Sequence, residues 1–163
     1  MAAGYTRAFA QKLNGLLPVE VREARDMDYV DQGRVLIVPG GRHMRVVRDG
    51  DGYIIRLDKI SLTQNPSIEV GRSINVLFHS VAESAGPKAV DIILTGMGKD
   101  GVDGLAAMKE AGAYTIAQDE ASCVVFGMPR VAIERGIVDA VASPEDIPAI
   151  LMEQSYGQNS GDR

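Results

Sequence analysis

The spacing of apolar residues divides the chain into stretches of different period. In residues 4–16, Phe9, Leu13 and Leu16 lie on one side and Arg7, Gln11 and Lys12 on the other, as in an amphipathic helix. Thr6 is placed to cap that helix, and Pro18 to end it. Residues 19–21 then read as a short strand. Asp31-Gln32-Gly33 marks a turn, residues 34–38 a second strand, and Pro39-Gly40-Gly41 its stop. Residues 43–47 and 53–57 alternate apolar and polar positions on either side of Asp49-Gly50-Asp51-Gly52, which predicts an antiparallel hairpin. Residues 59–67 carry Asn and Pro and read as loop.

The second half alternates strand and helix. Residues 71–85 form a helix with Ile74, Leu77, Phe78 and Val81 inward, closed by Gly86-Pro87. Residues 89–105 are the most informative stretch. Val90, Ile92, Ile93 and Leu94 give the apolar run of a strand covered on both faces. Gly96, Gly98 and Gly101 then allow a sharp turn, and a helix over 102–111 ends at Gly112. Further elements are a strand at 114–117, a helix at 128–134 with Pro129 near its start, and an extended stretch at 137–141. Ser143-Pro144-Glu145-Asp146 signals the start of a last helix. Alternation of this kind predicts βαβ units: an α/β, doubly wound, mostly parallel Rossmann-like sheet carrying the antiparallel hairpin as an insertion. Several strands are short and the chain opens on a helix, so the sheet is expected to be incomplete on its amino-terminal side. Residues 1–155 read as one domain and 156–163, rich in Gly, Ser, Asn and Gln, as a disordered tail.

Composition narrows the classes. The 163 residues are 45% hydrophobic without a tryptophan, so the core is aliphatic. A net charge of −5 offers no basic stripe for a phosphate backbone and argues against nucleic acid as a partner. A single cysteine, Cys123, precludes an intramolecular disulfide and suits a reducing, cytoplasmic setting. No apolar run approaches a membrane span, so membrane insertion is not expected. One Cys and two distant His argue against a metal site, and no cofactor is expected.

The loop at 96–101 admits three readings. Gly96-Met97-Gly98-Lys99-Asp100-Gly101 matches G-x-G-x-x-G between a strand and a helix, with Asp119 or Glu120 about 20 residues on, as in dinucleotide sites. A pyrophosphate there would share the turn with the Asp100 carboxylate, an unfavourable pairing of like charges. Asp100 could instead simply cap the following helix. Its third possible role is to orient a histidine in a Ser-His-Asp arrangement.

The words around that loop bear on the choice. The runs 93–101 and 117–130 (ILTGMGKDG and AQDEASCVVFGMPR) closely resemble the chemotaxis-receptor protein-glutamate methylesterase family. Further matches lie at 35–40 followed by His43-Met44, and at 76–82; together they cover residues 4 to about 151. The resemblance implies a doubly wound α/β catalytic domain with an added hairpin. It also implies hydrolysis of γ-glutamyl methyl esters, with glutamine deamidation, on the cytoplasmic helices of methyl-accepting chemotaxis receptors. It makes Asp100 the triad aspartate and the Met97 backbone amide an oxyanion-hole donor.

The resemblance also implies a serine in a G-x-S-x-G-G turn and a histidine in a Q-H-M-P segment, both preceding the part that matches Gly4. The sequence holds no G-x-S-x-G. His43, His79, Ser122 and Cys123 read as structural, and triad members act as a unit. The chain is therefore expected to retain only the aspartate, to be inactive alone, and to expose apolar sheet edge; the rival from another class is an inactive module of the same fold that binds a receptor or partner. Arg72-Ser73-Ile74-Asn75 departs from the P-S-V-D that many members carry, which bears on receptor docking.

Overall fold

The structure, a computed structural model, describes residues 4–59 and 74–159, with the side chains of 155–159 excepted. The first helix, α1 (Tyr5–Asn14), begins after Gly4 and ends at Gly15. Thr6 is not its cap. Thr6 lies inside the helix and is buried; its hydroxyl donates to Glu23 Oε1 at 2.5 Å and accepts the Gly40 amide at 3.0 Å. The residue that local patterning assigned to a helix end instead ties α1 to two distant segments.

Strands β1 (Glu20–Glu23) and β2 (Arg34–Ile37) pair in parallel. The hairpin forms as read, from β3 (Arg42–Asp49) and β4 (Gly52–Lys59), with Asp49 opposite Gly52. Gly50, at φ +57°, occupies the first loop position, where a two-residue turn needs positive φ to follow the strand twist. The hairpin is no loose appendage. Met44 and Ile55 bury with Ala24 against Leu36, Val38 and Leu77, so it shares a core with β1, β2 and α2 (Ile74–Ser84). Ser80 in α2 accepts the Val46 amide at 2.9 Å and fastens helix to hairpin. The loop expected over 59–67 lies, beyond Lys59 of β4, outside the described residues, as does Arg72.

The remaining parallel strands, β5 (Val90–Ile93), β6 (Tyr114–Gln118) and β7 (Ala140–Ala142), lie in that order in a separate sheet. Among the described residues the parallel strands thus pair in two sheets, β1-β2 and β5-β6-β7. Helices α3 (Val102–Glu110) and α4 (Met128–Glu134) cover one face of this sheet, where Ile93, Val102, Leu105, Ala117 and Ala132 are buried together. On the other face Ile116, Ala142 and Ile147 pack with Val90, Ile92, Ile150 and Leu151, and α5 (Ile147–Asn159) lies there. Helices on both faces are the doubly wound arrangement. The helix starts later than expected: 144–146 form a turn ahead of α5, closed by the Ser143 hydroxyl oxygen accepting the Asp146 amide at 3.2 Å. Helix α5 continues across the first residues of the segment read as a tail, and 160–163 lie outside the described residues.

Two details of β5 depart from its apolar reading. Leu94, just past the strand end, is about half exposed, whereas Asp91 within the run is buried. Asp91 faces the α3 side with Ile93, and its Oδ2 has no hydrogen-bond partner. Among the described residues β5 pairs only with β6, leaving its other edge open.

Candidate functional site

Beyond the carboxyl end of β5 the chain turns through Thr95–Gly101, and this turn is held on two sides. The Gly96 amide donates to the Val125 carbonyl at 3.1 Å, and the Gly96 carbonyl accepts the Met128 amide at 2.9 Å. Thr95 completes the clamp: its amide donates to Gln118 Oε1 at 2.7 Å, and its hydroxyl accepts the Val125 amide at 2.9 Å. Gln118, buried at the end of β6, donates from Nε2 to the Ser122 carbonyl at 3.0 Å. One amide side chain thereby couples both loops at the sheet's carboxyl edge. Glycine is needed where they touch: a Cβ on Gly127 would lie 2.5 Å from the Gly96 carbonyl oxygen. Sequence reasoning singled out none of Thr95, Gln118 or Gly127, although all three stand in the two motifs that carry the family resemblance.

The cap position of α3 is held by Gly101, not by Asp100. That helix starts after Gly101, at φ +92°, with no side-chain cap. The Asp100 carboxylate accepts instead from the Ile74 amide, the first of α2, at 2.9 Å. Asn75 of α2 returns the favour: its Oδ1 accepts the Gly104 amide in the first turn of α3 at 2.7 Å. Each helix thus has an otherwise orphaned amino-terminal donor satisfied from the other side, α2 by the turn that leads into α3 and α3 by α2. The exchange depends on close approach, since a Cβ on Gly104 would lie 2.5 Å from Phe78 Cβ. The result fixes the half-buried carboxylate at the amino end of α2, where the helix dipole favours negative charge.

Asp100 lines a cleft of about 340 Å³ with Thr6, His43, Met44, Ile74 and Leu77 among its other walls. Met97 lies in the same turn as Asp100, three residues before it. The residue is 87% exposed, and its amide donates to no acceptor among the described residues. The turn thus holds an N–H without an acceptor among the described residues, three positions before a carboxylate fixed to the amino end of α2.

Of the other candidates, His43 lines the Asp100 cleft, whereas His79 faces solvent from α2. Ser122 is bound into the loop clamp through Asp119 and Gln118. Cys123 is half-buried, and burial pushes its thiol above the usual range, so nothing activates it as a nucleophile. Among the described residues no three His, Cys, Asp or Glu side chains gather as metal ligands, and no helix is long and apolar enough to cross a membrane.

The family model for CheB methylesterase matches residues 1–151. The chain belongs to the CheB methylesterase family. The protein-glutamate methylesterase/protein-glutamine glutaminase of Bordetella pertussis is 55% identical over 148 residues, 90% of this chain and 41% of that protein. The second such protein of Pseudomonas aeruginosa is 44% identical over 163 residues, the whole of this chain and 46% of its own length. The chain thus spans less than half the length of these curated CheB relatives. The crystal structure of the Thermotoga maritima CheB methylesterase catalytic domain matches with a TM-score of 0.84 at 35% identity, over 94% of this chain and 79% of that one. The CheB fold accounts for the hairpin-bearing α/β architecture, and the clamped turn and its carboxylate are features of this family member.

Proposed function

We propose that this chain forms part of a protein-glutamate methylesterase and deamidase, supplying the aspartate and an oxyanion donor of a Ser-His-Asp site. Its substrates are γ-glutamyl methyl esters on the cytoplasmic helices of chemotaxis receptors, and its setting is the cytoplasm. The single observation that carries this reading is the pairing, in one turn, of the Met97 amide and the Asp100 carboxylate at the carboxyl edge of β5.

In this reading the serine and histidine belong to residues outside the 163. The serine attacks the ester carbonyl while the histidine accepts its proton, and Asp100 holds the imidazole in the required tautomer and stabilises the imidazolium. Charge developing on the carbonyl oxygen is met by the Met97 N–H, a donor of the kind worth about 10²–10³-fold in rate. The proton passes to the departing methoxide, methanol leaves, and water hydrolyses the acyl-enzyme by the same relay. Deamidation follows the same course with ammonia as the leaving group. The bond between Asp100 and Ile74 serves the chemistry by fixing the carboxylate before the histidine arrives.

The same bond favours a second reading, in which Asp100 serves only to join α2 to α3 and the chain is a non-catalytic module that binds receptor or partner. The two are separated by joining the chain to the region that precedes the matched segment in a curated relative and assaying methyl-labelled receptor membranes, where only the catalytic-part reading predicts methanol release that Asp100→Asn removes. The purified chain alone tests the first reading further. The catalytic-part reading predicts methanol release at background from this chain alone, because an aspartate without its partners activates no nucleophile. Release well above background overturns it.

A further inference from the structure

The Met97 N–H belongs to the peptide group between Gly96 and Met97, and the plane of that peptide is fixed from behind. In a trans peptide the N–H and C=O point in opposite directions. The Gly96 carbonyl is turned to α4, where it accepts the Met128 amide at 2.9 Å, so the Met97 N–H is turned away from α4. The same hydrogen bond polarises the peptide and strengthens its N–H as a donor. Residue 127 is the floor beneath it. Besides the Gly96 oxygen, a Cβ there would lie 3.2 Å from the Gly98 nitrogen and 3.3 Å from Met97 Cα.

A side chain of the neighbouring strand holds the turn on that floor. Gln118 is buried, and its backbone is paired with Ala142 of β7. Its Oε1 takes the Thr95 amide at 2.7 Å, while its Nε2 donates to the carbonyl and hydroxyl oxygens of Ser122 at 3.0 and 3.1 Å. With an N–H on one side and two oxygens on the other, only this orientation of the amide satisfies both. Thr95 passes the restraint on, its hydroxyl accepting the Val125 amide at 2.9 Å and donating to the Val125 carbonyl at 3.2 Å. The amides of Thr95 and Gly96 and the carbonyl of Gly96 are thus all engaged immediately before Met97.

We infer that Gln118 is a positioning residue for the reaction: through Thr95 it holds the Gly96–Met97 peptide against Gly127, so that the Met97 N–H faces the developing oxyanion. This role rests on the methylesterase reading for the reaction it serves. Gln118 itself touches neither the ester nor the groups that attack it. It acts by orienting a donor whose contribution grows as charge develops on the carbonyl oxygen, which places its effect in kcat and not in KM.

Gln118→Met keeps the bulk and removes both hydrogen bonds, whereas Gln118→Glu keeps an oxygen for the Thr95 amide. Amide hydrogen exchange by NMR on the full chain reports the mechanical link. The Gly96 amide is bonded to Val125 and not to Gln118, yet in Gln118→Met it exchanges about tenfold faster or more, while Ile116 and Ala117 within the sheet are unchanged. Turnover is measured in the chain joined to the region that precedes the matched segment in the Bordetella pertussis relative, on methyl-labelled receptor. Gln118→Met lowers kcat by about tenfold or more with KM within about twofold, and Gln118→Glu recovers most of the loss. Ile147→Val, buried under the opposite face of the sheet, lowers the melting temperature without touching either loop and leaves kcat within about twofold. Unchanged exchange at Gly96, or a kcat in Gln118→Met no lower than in Ile147→Val, overturns the inference and leaves the methylesterase reading standing. A parent chimera that releases no methanol removes that reading and the role in the reaction with it, while the exchange result still separates a held turn from a free one.

Discussion

Asp91 makes the stability of this protein depend on pH in an unusual direction. Its carboxyl is buried on the α3 face of β5, 5% exposed, with Oδ2 unpartnered. Burial pushes its pKa from 3.8 up to about 7, opposed only in part by a backbone hydrogen bond from Ile92. The folded pKa lies above the unfolded one, so between about pH 4 and pH 7 the native state holds a proton that the unfolded chain has released. Stability therefore falls as pH rises through that window, and the loss is complete above it. At about 1.4 kcal/mol per unit, a shift of about 3 units puts the full cost of ionising Asp91 near 4 kcal/mol. Between pH 5 and pH 8 the part incurred is about 3 kcal/mol. Asp91→Asn keeps the size and removes the charge. Its buried amide costs the fold something at every pH, so the informative quantity is the change between the two pH values. Urea unfolding at pH 5 and pH 8 should show the parent losing about 3 kcal/mol more than the variant across that interval. Parallel behaviour of the two proteins would refute the claim that this carboxyl is dry and unpaired.

Three other perturbations test the packing around the turn. Gly127→Ala puts a methyl into the Gly96 carbonyl and forces the two loops apart; a loss of about 1–3 kcal/mol in urea unfolding is expected, and a neutral result would mean the loops are not in contact. Asn75→Ala removes the acceptor for the Gly104 amide and should cost about 1 kcal/mol, whereas Asn75→Asp, which keeps an acceptor, should recover most of it. Gly104→Ala drives Cβ into Phe78 and should lower the melting temperature more than an alanine replacing Gly33, where nothing lies within 4 Å, although positive φ adds some strain at Gly33.

Much of this was legible in the chain because it is local. The alternation around Asp49-Gly50-Asp51-Gly52 set the hairpin register, and Ser143-Pro144-Glu145-Asp146 marked the turn that leads into α5 at Ile147. What stayed hidden depends on partners distant in sequence. Asp91 sits in an apolar run and betrays its burial only once α3 covers that face of β5. Asp100 looks like a cap for the next helix because Asp favours that position locally. Its bond to Ile74, 26 residues earlier, is a product of how α2 and α3 meet. Thr6 was misread for the same reason, since its hydroxyl is taken by Glu23 and Gly40 rather than by its own helix. Which strands pair with which was equally invisible to periodicity, which reports faces and not neighbours. The family was legible through the two motif runs; the rigidity of the turn, supplied by Gln118 and the Gly96–Gly127 contact, was not.

The central claim is that Asp100 works as the aspartate of a triad completed by residues this sequence does not contain. It is tested most directly by joining the region that precedes the matched segment in the Bordetella pertussis relative to Met1 and measuring methanol release from methyl-labelled receptor. The Asp100→Asn version of that chimera is the decisive comparison, because asparagine retains an oxygen for the Ile74 amide and spares the α2–α3 junction. The account predicts methanol release by the chimera and a loss of about 10⁴-fold on Asp100→Asn with an unchanged melting temperature. A chimera that hydrolyses at full rate after Asp100→Asn would contradict it.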